Sequence, residues 1–200
     1  MKTLFKKISL LSLTSTLFCA TAFSAVTPIS VSIVPPVQFP AQDFSVTGAR
    51  LAIVGKQEEM YGLDLGLIGN MTTQSFAGIA VSGLFNYNKG TTTAIGAQLA
   101  GLTNINTNKT SVYGIQAALA ANINSAESKI YGVQFAAVNM SSHTTVNGAQ
   151  IGIYNRAQTV RGFQIGIVNV TENLTGIQIG LLNFHRKGLF SVAPIINIGF

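Results

Sequence analysis

One short unit is copied along most of this chain. The segments GAQIGIYN (148–155), GFQIGIVN (162–169) and GIQIGLLN (176–183) are nearly identical. Degenerate copies precede them, opening at Gly48, Gly62, Gly78, Gly96, Gly114 and Gly132, so successive leading glycines lie 14, 16, 18, 18, 18, 16, 14 and 14 residues apart. Such a period restricts the chain to an array in which each unit covers its neighbour.

With each leading glycine as position zero, side chains at +1, +3 and +5 share one side of a strand. Across nine units these 27 positions hold Ala, Val, Ile, Leu or Phe 25 times, and Gly83 and Gly101 otherwise. The opposite side reads bulky apolar at −2, Gly at zero, mostly Gln at +2, a small residue at +4 and an apolar residue at +6. This order is a palindrome about +2, and like residues then meet at one level on strands running in opposite directions. Turn formers such as NYNKGTTT, NINTNKTS and MSSHTT separate the units, and helical periodicity is absent. With the last segment, LFSVAPIINIGF, the reading is an all-β chain of about ten strands.

Composition then narrows the setting. Only 9% of the 200 residues are charged while 48% are apolar, unlike an ordinary cytosolic enzyme. Residues 1–25 read as a secretory signal peptide: Lys2, Lys6 and Lys7, an apolar run from Ile8 to Phe18, then small residues, with cleavage after Ala22, Ser24 or Ala25. Removing those lysines leaves nine cations against six acids, about +3. The remaining cations are dispersed, which argues against nucleic acid as a partner. A single cysteine, Cys19, rules out a disulfide scaffold and a cysteine-built zinc site. Residues 26–43, with Pro28, Pro35, Pro36 and Pro40, read as an extended lead-in to a repeat domain over 44–200.

A wholly apolar face in an exported chain, on strands of outer-membrane length and even number, predicts an antiparallel up-and-down transmembrane β-barrel, with the outer-membrane lipid bilayer as partner. Tyr61, Tyr113 and Tyr131 at position −1, and Tyr87 beyond the other end, are then the interfacial girdle; Arg161, also at −1, snorkels from the rim. The terminal SVAPIINIGF resembles the last strand by which the outer-membrane assembly machinery recognises its substrates, with Phe200 as its signal; Pro194 departs from that pattern. More broadly, GxQxGxxN over residues 46–183 resembles a family of bacterial surface-repeat proteins of spirochaetes and other diderm bacteria. That resemblance implies a surface role and brings no catalytic or ligand-binding residue to carry over.

In a barrel, position +2 forms an interior polar belt of Arg50, Asp64, Gln98, Gln116, Gln134, Gln150, Gln164 and Gln178. Arg50 and Asp64 fall at equal positions on adjacent strands, where pairing makes buried charge far cheaper. The belt either fills the interior or lines a narrow pore. His143 and His185 sit in different turns and the acids are scattered, so no catalytic, metal or cofactor site is expected. The alternative is an exported β-solenoid serving as a soluble or surface-attached binding module, with the apolar face inside and Asn stacked at the corners. A 14-residue unit closes such a coil only if the strand bends within its core, because a straight nine-residue strand spans about 30 Å and five residues return at most roughly 18 Å.

Overall fold

The computed structural model describes residues 25–188 and 190–200. The signal-peptide reading, Cys19 included, falls outside these residues except for Ala25. The described chain holds thirteen strands in one sheet. They are β1 (Val26–Val34), β2 (Val37–Phe39), β3 (Ser45–Ser82), β4 (Phe85–Asn88), β5 (Thr91–Ala100), β6 (Thr103–Asn106), β7 (Thr110–Ala118), β8 (Ala121–Asn124), β9 (Ser128–Phe135), β10 (Val138–Ile151), β11 (Tyr154–Ile165), β12 (Val168–His185) and β13 (Val192–Gly199).

Their pairing overturns the antiparallel barrel. Gly132, Gly148, Gly162 and Gly176 are direct partners on successive strands running the same way, as are Gln134, Gln150, Gln164 and Gln178. The chain is a β-solenoid of about ten turns, each stacked in register on the last. Only β1 with β2 and β12 with β13 pair antiparallel. The palindrome about +2 is compatible with either direction, so it never distinguished them. Direction is decided by the residue that breaks the palindrome. Reversal about +2 would set the closing Asn of the later units, at +7, against position −3, where Lys129, Thr145 and Thr159 stand; parallel stacking sets Asn on Asn.

Each turn has a longer rung carrying the Gly-x-Gln core and a shorter rung carrying the Asn. In one turn these are β9 and β8, eight and four residues long. The bend between rungs falls at +4 and +5 in the later units, Ala136 and Ala137 after β9, and at +5 and +6 in the 18-residue ones, Leu119 and Ala120 after β7. Small residues at +4 let the backbone turn there: a Cβ on Gly152 would lie 2.1 Å from the Ala136 carbonyl oxygen. Splitting the unit into two rungs resolves the length problem of the short repeats.

The apolar positions also lie elsewhere than the solenoid alternative places them. Side chains at +1, +3 and +5 point outward, and the interior is built of amides, hydroxyls and one apolar file. That file is position −2: Val46, Met60, Phe76, Ala94, Val112, Ile130, Val146, Val160 and Leu174 form the buried hydrophobic cluster together with Ala80 and Ala157. Leading glycines are fixed by the stack. Gly148 has φ +141°, and a Cβ there would lie 2.0 Å from the Gly132 carbonyl oxygen. Gly96 is the exception, because a bulge between Gly78 and Ala80 shifts the register and leaves only Ile79 side-chain atoms, at 3.5 Å.

Both ends are capped. At the start, β1 lies parallel on β3, with Ser30 opposite Arg50, and β2 folds back on β1. At the finish, β13 reverses direction and pairs with β12, with Asn197 opposite Gln178. The terminal strand is therefore a solenoid cap and not a barrel's closing strand. Pro194 sits in this edge strand, where a missing N–H interrupts no ladder on the outer side.

Candidate functional site

The +2 residues form one column through the solenoid: Arg50, Asp64, Ala80, then six glutamines. Nε2 of Gln116 donates to Oε1 of Gln98 at 2.7 Å, and the same bond at the same length joins Gln134 to Gln116, Gln150 to Gln134, Gln164 to Gln150 and Gln178 to Gln164. Asn197 of β13 closes the file by donating to Gln178 at 3.2 Å.

A second amide file runs along the shorter rungs. Nδ2 of Asn70 donates to Asn86, and the chain continues through Asn104, Asn122, Asn139, Asn155 and Asn169 to Asn183, at 2.8–3.1 Å. These asparagines also donate to a main-chain carbonyl, as Asn155 does to Ile165 at 2.9 Å, which fixes the amide orientation. The Gln file donates toward the N-terminal end and the Asn file toward the C-terminal end, so their aligned dipoles oppose. A short third file joins Asn88, Asn106, Asn124 and Ser141, and Gln98 and Asn106 bond across the interior at 3.2 Å.

Arg50 and Asp64 meet side by side. Nε donates to Oδ1 at 2.7 Å and one terminal nitrogen to Oδ2 at 2.6 Å, while the other donates to the Met71 carbonyl at 3.3 Å. Both side chains are buried. Burial pushes the Asp64 carboxyl above its ordinary value against the opposing pull of Arg50. Gly55 makes room for the guanidinium, since a Cβ there would come within 2.9 Å of its Nε.

None of this interior is open. The six glutamines are fully buried, so the belt lines no passage. No group of three His, Cys, Asp or Glu side chains converges among the described residues. Neither histidine sits in a turn: His143 is exposed on β10, and His185 is buried at the end of β12, where its Nε2 accepts from the Leu174 N–H at 3.1 Å.

Chemistry at the surface is divided between two long edges. One carries the bends: Leu67, Leu84, Leu102, Leu119, Ile153, Ile167 and Leu181 stand there, each 43–72% exposed. Two shallow apolar grooves open on this exterior. One of ≈ 630 Å³ lies near the N-terminal end between Val31, Leu51, Leu67 and Val81; the other, ≈ 420 Å³, is bounded by Met71, Leu84, Tyr87 and Ile105. The other long edge carries the turn segments with Lys89, Lys109, Glu127 and Glu172. Among the described residues no charged side chain stands at the bends.

The tyrosines do not form a single ring. Tyr113 and Tyr131 are neighbours on β7 and β9 and stack with ring centroids 5.2 Å apart, both exposed. Tyr61 is half-buried on the same side; Tyr87 lies on the shorter rungs, opposite Ile105. Arg161 shares the Tyr131 column two rungs on, through Asn147. Phe200 is fully exposed beyond the cap.

The solenoid alternative expected stacked Asn; strand alternation by itself overlooks both that file and the apolar edge. Both had a signal: the Asn closing each GxQxGxxN, and apolar residues persisting at +5 and +6 where a simple strand should end. No family model, curated protein or solved structure matches the chain.

Proposed function

We propose that this protein is an exported, non-catalytic β-solenoid acting as a binding module at the cell surface, with the apolar long edge as its working face. One observation carries the reading: amides fill the interior while Leu and Ile side chains line an outer edge. Soluble proteins seldom leave so much contiguous apolar surface uncovered unless something covers it. The leader-like N-terminus and the resemblance to surface-repeat proteins support the same role.

The test has two parts. Expressed with its own leader in a diderm bacterium, the chain should be shortened near residue 25 and recovered outside the cytoplasm. The purified protein should bind an apolar fluorescent dye such as anilinonaphthalene sulfonate while fully folded. Retention in the cytoplasm, or no dye binding by folded protein, would overturn the reading.

A further inference from the structure

We propose that the apolar edge is a lipid-inserting keel, seating the solenoid lengthwise in one leaflet of a membrane without crossing it. This rests on the preceding reading and names the partner.

The first support is the backbone. Lipid excludes irregular chain because unpaired N–H and C=O groups find no water there. Bends in most proteins fail this condition. Here the bends carry their own ladder: Leu84 N–H donates to the Ile68 carbonyl at 2.8 Å, Leu102 to Leu84 at 2.7 Å, Ala120 to Leu102 at 2.9 Å, and Val138 to Ala120 at 2.9 Å. It continues from Ile153 to Ala137, Ile167 to Ile153 and Leu182 to Ile167, at 2.9–3.0 Å. The edge thus presents side chains to its surroundings and satisfied main chain behind them.

Depth is the second support. From Tyr131 to the bend at Ala136 is five residues and from Tyr113 to the bend at Leu119 is six, roughly 16–20 Å at about 3.3 Å each. Half of a bilayer's hydrocarbon core is about 15 Å. With the bends at mid-bilayer, the Tyr113–Tyr131 stack falls at the headgroup level, where an aromatic ring with one polar end is favoured.

Charge is the third. Arg161 stands at that level, Lys129 two residues beyond it on β9 and Arg156 three residues past the bend on β11, whereas the paired Arg50 and Asp64 are buried inside. Cations at that depth fit an anionic headgroup layer. A second copy of the chain on the same edge would set these cations against one another.

Flotation with vesicles of phosphatidylethanolamine and phosphatidylglycerol tests the proposal on the exported protein, shortened near residue 25. Wild type should float. Leu119→Lys with Ile153→Lys should lower the vesicle-bound to free ratio by about a thousandfold or more, about thirtyfold or more per lysine. The charge-matched pair Ser125→Lys with Gln158→Lys on the opposite edge should float like wild type. Since the chain lacks tryptophan, Ile167→Trp gives a unique reporter whose fluorescence should be quenched by acyl-brominated lipid, while Gln158→Trp should not be. Wild type remaining unbound overturns the proposal, whether monomeric or paired through the edge in sedimentation; so does equal quenching at both sites. A protein that binds dye and is exported yet ignores vesicles defeats the keel and leaves the binding module standing.

Discussion

At the scale of single residues, the solenoid's character comes from burying polar groups that satisfy each other. Arg50 and Asp64 are the sharpest case. Removing one partner strands a buried charge, at a cost of about 3–5 kcal/mol, whereas replacing both with apolar residues is often neutral. Arg50→Met should therefore lower the denaturant midpoint sharply, and Arg50→Met with Asp64→Leu should recover most of the loss. If the double substitution is as damaging as the sum of the singles, the pair is not acting as a unit. His185 makes a different demand. Burial holds its pKa below the ordinary 6.5, so the unfolded chain takes up the proton first as pH falls. The stability it contributes is complete above 6.5 and declines as pH drops through 6.5 toward the folded-state pKa. Protonating Nε2 also abolishes the acceptor for the Leu174 N–H. Denaturant midpoints at about pH 7.5 and about pH 5 should differ in wild type, and the difference should shrink in His185→Gln.

Elements are defined here by what fits between rungs. At every position zero but Gly96, glycine is required because the preceding rung's carbonyl occupies the space of a Cβ and the backbone lies at positive φ. Gly148→Ala must move backbone against backbone, while Gly96→Ala meets only the flexible Ile79 side chain and carries the strain of φ +95° alone. Thermal midpoints should therefore fall further for Gly148→Ala than for Gly96→Ala, and equal losses would show that φ strain, not the close approach, governs these positions. The amide files supply cohesion along the axis. Each such bond contributes about 1 kcal/mol net, but an orphaned amide costs about 1–3 kcal/mol, so one apolar substitution is felt on two rungs. Gln164→Leu leaves Gln150 Oε1 without its donor from the file and Gln178 Nε2 without its acceptor there.

For the whole molecule, stability accumulates turn by turn, since each turn touches only its neighbours and the caps. Deleting residues 149–162, a full 14-residue unit, joins Gly148 to Phe163 and preserves both amide files. Deleting 149–155 removes Gln150 and Asn155 and brings half a turn out of register. The first deletion should melt cooperatively near the wild-type temperature; the second should lose cooperativity, read by circular dichroism on heating. Comparable melting of the two would mean that register between turns is not what holds the rod together. The rod is roughly 45 Å long at about 4.8 Å per rung, and its apolar and charged edges run that full distance, a division no single turn reveals.

The sequence alone determined that the chain is all-β, that one unit repeats, that +1, +3 and +5 share a side, and that Arg50, Asp64 and the glutamines occupy one column. These follow from period-two alternation and from the spacing of the leading glycines, both local properties. Strand direction did not follow from the glycine–glutamine core, whose near symmetry satisfies parallel and antiparallel neighbours alike; only the Asn outside that symmetry distinguishes them. Nor did the place of the bend, which the solenoid alternative required but did not locate, and which splits the units into two rungs and puts Asn183 and its counterparts inside. Which side of the sheet is the interior was decided only when the coil closed: apolar alternation marks a distinct face, but only the curvature says whether that face looks inward or out.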